Sequence, residues 1–128
     1  MATRTVVVGG GNYNAATTWM EGAVPTIADA VVFSGNSGNL TINVASTAGT
    51  INFTNYTGTI TFTNTLQVYG NVNFGSGIYN VAGASSLFIS SSSTITSNSI
   101  AWKGNLSFNS TFSSLSYTLS DNLIVNGN

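Results

Sequence analysis

The sequence predicts an all-β fold, a right-handed parallel β-helix with an N-terminal cap. The expectation rests on apolar residues that recur two apart in short runs, on runs that copy one another, and on a near absence of charge. An antiparallel sandwich or jelly roll also has short strands and glycine-rich turns, and it stands as the alternative. Recurring motifs favour the solenoid, because a sandwich does not need them.

The runs come in this order: Leu40–Val44, Thr50–Phe53, Thr59–Phe62, Leu66–Val68, Val72–Phe74, Leu87–Ile89, Ile100–Trp102, Leu106–Phe108 and Leu123–Val125. In each, spacing by two puts the apolar residues on one face and Thr, Asn or Ser on the other. Gly, Asn and Ser separate the runs and suit tight corners. Helix signals are nearly absent, and Ala15–Glu21 offers at most a turn or two.

The stretch from Gly49 to Asn55 is nearly repeated from Gly58 to Asn64, a shift of nine residues. The motif of Leu66–Phe74 returns at Ile100–Phe108, a shift of 34, and begins again at Leu123, a further 23 on. Such self-similarity fits rungs of about 20 residues with loops of varying length. The domain organisation is then a strand and capping segment over residues 1–33 and solenoid rungs over 34–128, in one structural domain.

Charged residues are 4% of the 128, against about 25% in an ordinary soluble domain. They are Arg4, Glu21, Asp29, Lys103 and Asp121. Stacked rungs place equivalent residues about 4.8 Å apart, where like charges repel, whereas Asn and Thr can bond along a ladder. Two basic residues cannot neutralise a phosphate backbone, so nucleic acid is not an expected partner. The chain has no cysteine or histidine, so thiolate sites, disulfides and histidine-based catalysis are not expected; neither is any cofactor or metal. The N-terminal apolar run, Val6–Val8, is too short for a Sec signal, and no stretch approaches the roughly 20 apolar residues of a membrane span.

Residues 9–33 differ from the rungs after them and read as a cap. Trp19 is large enough to plug the end of a solenoid, Pro25 cannot donate to a ladder, and Asp29 can hold a turn before Val31–Phe33. The order Tyr13, Trp19, Gly22, Pro25, Asp29 resembles the start of β-solenoid surface and appendage proteins of phages and bacteria, although Trp is the commoner first aromatic. The rungs after it resemble tail-fibre or virion-fibre proteins. That resemblance, covering about the first 80 residues, implies a trimeric or filamentous assembly, a virion-surface or extracellular location, and in some members contact with host glycans.

Glu21 and Asp29 are the only carboxylates close in sequence, and a glycosidase needs two across its scissile bond. Both fall in the cap, where turn-holding roles await them, so a structural reading is preferred. Gly9–Asn12 lacks the Lys-Ser/Thr of a phosphate loop and reads as a turn. Asn-x-Ser/Thr triplets at Asn39, Asn52, Asn55, Asn105 and Asn109 arise from the abundance of those residues. Most aromatics are expected in the core, Trp102 among them. Tyr69 and Lys103 hold equivalent, outward places in the repeated motif and are the candidate partner contacts. The final rung, Leu123–Asn128, stops midway through the motif without a cap, which predicts either more chain or a covering subunit.

The expected role is therefore a non-enzymatic structural component of a virion or cell-surface appendage, acting by assembly and adhesion. A carbohydrate-binding or glycan-degrading spike and a self-assembling filament subunit are the alternatives.

Overall fold

A strand with one buried face needs an apolar residue at every second position, and three such strands joined by tight corners enclose a core. This is how the chain folds in the computed structural model, which describes residues 1–81, 85–102, 105–108 and 115–125. Strands β1 (Ala2–Thr5) and β2 (Gly11–Asn12) come first. One complete turn then holds β3 (Asp29–Val32), β4 (Leu40–Ile42) and β5 (Ser46–Ala48); the next holds β6 (Thr50–Asn52), β7 (Thr59–Phe62) and β8 (Leu66–Val68). The third turn holds β9 (Val72–Asn73), β10 (Ile78–Val81) and β11 (Ser86–Ile89), and the fourth β12 (Ser93–Thr96), β13 (Ala101–Trp102) and β14 (Asn105–Phe108). A last turn contributes β15 (Tyr117–Leu119) and β16 (Ile124–Val125).

Each strand pairs with its equivalent one turn away. The first sheet runs β1-β3-β6-β9-β12-β15, the second β2-β4-β7-β10 and the third β5-β8-β11-β14, with β13 and β16 paired separately. Every strand pair among the described residues is parallel, so the fold is a parallel β-solenoid and the antiparallel alternative is excluded. On the first sheet Val31, Ile51, Val72, Ile95 and Leu119 stand in register, at spacings of 20, 21, 23 and 24 residues. The rung length matches the expected figure of about 20.

Two of the three sequence shifts have a different origin from stacking. The nine-residue shift relates β6 to β7, which are successive walls of one turn. The 34-residue shift relates β8 and β9 to β13 and β14, on non-equivalent walls. Only the 23-residue shift is a true register, pairing Ala101 with Ile124 and Trp102 with Val125. Every wall and corner obeys the same local rules, so motifs recur from wall to wall as well as from turn to turn. The corner at Gly70 shows one such rule: a Cβ there would lie 2.8 Å from the Gly49 carbonyl, and one at Gly49 would lie 2.7 Å from that of Asp29.

The core is a set of stacked columns. Phe33, Phe53 and Phe74 follow one another at ring spacings of 4.9 and 6.4 Å. Ser97 takes the fourth place in that column, fully buried, and Trp102 fills the space a fourth phenylalanine would occupy. Its indole lies 5.3 Å from Phe74, 5.5 Å from Phe62 and 5.1 Å from Tyr79. Trp102 is therefore a core residue, as expected. Buried tyrosines satisfy their hydroxyls within the corners: Tyr56 donates to the Thr59 carbonyl at 2.8 Å, and Tyr79 to Gly75 O at 3.0 Å. No described helix is long and apolar enough to cross a membrane.

Candidate functional site

The solenoid has two chemically different ends. At the N-terminal end the segment after β2 makes a 3-10 turn over Ala16–Thr18 and crosses back over β1. Thr18 Oγ1 donates to Asn12 O at 2.8 Å, and Val6 bridges Trp19 in antiparallel sense. Trp19 is buried, with its Nε1 donating to Tyr13 O at 2.9 Å and its ring 5.0 Å from that of Tyr13. The Tyr13 hydroxyl donates in turn to Thr47 O at 2.6 Å, which ties the lid to β5. Gly22 reverses the chain behind Trp19 with φ of +68°, a conformation that suits glycine, and its N–H reaches Trp19 O.

Pro25 is buried and Asp29 is 4% exposed. Asp29 Oδ2 accepts the main-chain N–H of Thr26 at 2.8 Å and its hydroxyl at 2.9 Å, and lies 3.5 Å from Arg4 Nε. The Thr26 N–H, assisted by Arg4, holds this carboxyl below the usual range despite its desolvation. Glu21 binds the main chain in a different way: its Oε2 accepts the Thr5 N–H at 2.8 Å. Desolvation opposes ionisation there, but that bond and Arg4 outweigh it and the carboxyl is held low.

These contacts close the outer edge at the end of β1 and just beyond it, from Thr5 to Val7. Thr5 O accepts Met20 N, Val7 N donates to Thr18 O, and Val7 O accepts the N–H groups of Gly10 and Gly38. With Thr5 N held by Glu21, the backbone groups of Thr5 and Val7 that would receive another strand are taken.

At the other end no comparable lid lies over the last turn among the described residues. Phe108, Leu119, Ile124 and Val125 are between 44% and 51% exposed. The counterparts of Phe108, Leu119 and Val125 one turn earlier, Ile89, Ile95 and Trp102, are fully buried. The last turn is held at one corner by Asp121, whose Oδ1 and Oδ2 accept the N–H groups of Ser97 and Asn98, each at 2.7 Å. Asn98 and Ser99 adopt positive φ, 51° and 61°, which turns these N–H groups towards the carboxylate. Asn98 Nδ2 also donates to Phe74 O at 2.7 Å, so three successive turns are joined there. Nothing in the motifs around Asp121 marks it as a corner residue; its place 24 residues after Ser97, one turn on, is the signal that could have found it.

Among the described residues the sides are neutral. Of the charged residues described, Arg4, Glu21 and Asp29 belong to the first-turn end and Asp121 to the last. Tyr69 is exposed on the third-sheet side, next to Gln67 on β8, where Gln67 stands opposite Phe88 of β11. Lys103, the other candidate contact, lies outside the described residues, as do Asn109 and the final three residues of the last rung. No group of three or more His, Cys, Asp or Glu side chains able to hold a metal lies among the described residues. Glu21 and Asp29, the acids a glycosidase reading would use, are each engaged by main-chain donors.

No protein-family model, curated protein or solved structure matches this chain.

Proposed function

We propose that the chain is a non-enzymatic structural module of a viral or bacterial surface appendage, joined to a neighbouring subunit through its C-terminal end. One observation carries the reading: the chain itself closes the N-terminal strand edge at Thr5 and Val7, whereas the C-terminal end presents Phe108, Leu119, Ile124 and Val125 beside strand edges that, among the described residues, carry no further strand. An apolar surface flanked by open β edges invites pairing with another chain. The blocked backbone at Thr5 and Val7 opposes head-to-tail growth and favours a closed assembly over an unlimited filament. The viral or bacterial surface is the setting implied by the resemblance of the Tyr13–Asp29 segment to appendage proteins, and the neutral sides suit a part that works by shape.

Electron microscopy of the purified protein tests this. Discrete particles made of several solenoids that meet at one end are expected. A uniform field of single solenoids overturns the reading, and long unbranched filaments overturn the preference for closure.

A further inference from the structure

We propose that the outer face of the third sheet around Tyr69 and Phe88 is a contact site for an uncharged glycan. The register puts Thr47, Gln67, Phe88 and Ser107 in one outward column across β5, β8, β11 and β14. Tyr69 comes two residues after Gln67, and Ser90 two residues after Phe88. Main-chain bonds from Tyr69 N to Ala48 O and from Ser90 N to Val68 O, at 3.0 and 2.8 Å, carry the ladder on through this second column. The four side chains thus form a rectangle with Gln67 and Ser90 on one diagonal and Tyr69 and Phe88 on the other. Gln67 Nε2 donates to Ser90 Oγ at 2.7 Å, which fixes the amide between the two aromatic positions.

A sugar ring offers an apolar C–H face and a rim of hydroxyls that both donate and accept. Aromatic side chains match the first requirement, and an amide with neighbouring hydroxyls matches the second. None of these residues is charged, so they have no means to select a sialylated or sulfated ligand. The outward column of the first sheet, Asn52, Asn73 and Thr96, has the same neutral polarity but no aromatic group. A second copy of the chain fits this side poorly, because a stable protein contact needs on the order of 800 Å² per partner with an apolar centre, and Thr47, Ser90 and Ser107 around the rings are small and polar.

The site is independent of assembly through the C-terminal end, and its test is separable from that reading. The full chain would be applied to an array of neutral glucan, mannan and galactan oligosaccharides, with sialylated and sulfated glycans alongside. Binding to a subset of the neutral members is expected, weakened about tenfold by Tyr69→Ala or Phe88→Ala and largely kept by Tyr69→Phe. Circular dichroism and native mass of the variants should match the parent. Absence of binding to every neutral glycan, binding that Tyr69→Ala leaves unchanged, or a signal that tracks the charged glycans overturns the proposal.

Discussion

Glu21 Oε2 lies 2.8 Å from the main-chain nitrogen of Thr5, and this bond withholds an outward-facing donor of β1 from any incoming strand. Edge strands left open are templates for association, and a carboxylate placed on the edge is one way to close them. Glu21→Ala should free the Thr5 N–H and raise self-association at the N-terminal end, seen as a larger average mass by sedimentation at the same protein concentration. Glu21→Gln, which keeps an acceptor, should stay close to the parent. Equal behaviour of Glu21→Ala and the parent would show that the edge is closed without this contact.

Asp121 should make the last turn sensitive to acid. The main-chain N–H of Ser97, with that of Asn98, outweighs desolvation and holds its carboxyl below the usual range. A depressed carboxyl stabilises the fold above its unfolded pKa, about 3.9, and that stabilisation is lost as pH falls through the folded value. Amide exchange at Ser97 and Asn98 is therefore expected to lose its protection below about pH 4, and Asp121→Asn to show fast exchange at neutral pH. Slow exchange in Asp121→Asn would show that the charge does not hold this corner.

Buried tyrosines set the alkaline limit. Burial pushes the hydroxyls of Tyr56 and Tyr79 up to about 12, with the neighbouring Tyr79 adding to the effect at Tyr56. Both groups are raised relative to an unfolded value of about 10, so the stabilisation is complete below pH 10 and is lost as pH rises towards 12. Tm should stay level to about pH 10 and then drop steeply, in step with tyrosinate absorbance from the unfolding chain. Ionisation of both groups near pH 10 in the folded protein would contradict their burial.

Ser97 and Trp102 share one space. Trp102→Ala removes a fully buried indole and is expected to cost about 3–5 kcal/mol. Ser97→Phe restores the Phe33–Phe53–Phe74 column but collides with the indole, at a cost of about 1–3 kcal/mol. The double variant should lose less than the two costs combined, with a coupling of about 1–2 kcal/mol in urea denaturation. Additive losses would show that the two side chains do not compete.

Much of the fold is legible in the residues themselves, because alternation such as Thr59-Ile-Thr-Phe62 leaves a strand few other options. Strands β5 and β12 escape that logic. Ser46-Thr-Ala48 has no bulky apolar pair, and Ser93 closes a serine run that looks like a loop. They are strands because neighbouring turns supply the ladder, as where Ser46 N donates to Thr65 O and Ser93 N to Ser116 O. Contacts between turns are harder to read, since the spacing drifts from 20 to 24 residues along the first sheet. This drift conceals the pairing of Asp121 with Ser97. Tyr69 is legible as outward from its motif, whereas Phe88 and Gln67 need the register to bring them beside it.

Assembly through the C-terminal end stands or falls on native mass by light scattering, measured for the parent chain beside a variant with Leu119→Lys and Ile124→Lys. Both residues are about half exposed, so the changes should leave the fold intact. A defined oligomer is expected for the parent and a monomer for the variant. A parent that is monomeric across the accessible concentration range, or a variant that keeps the parent's mass, would contradict assembly through this end.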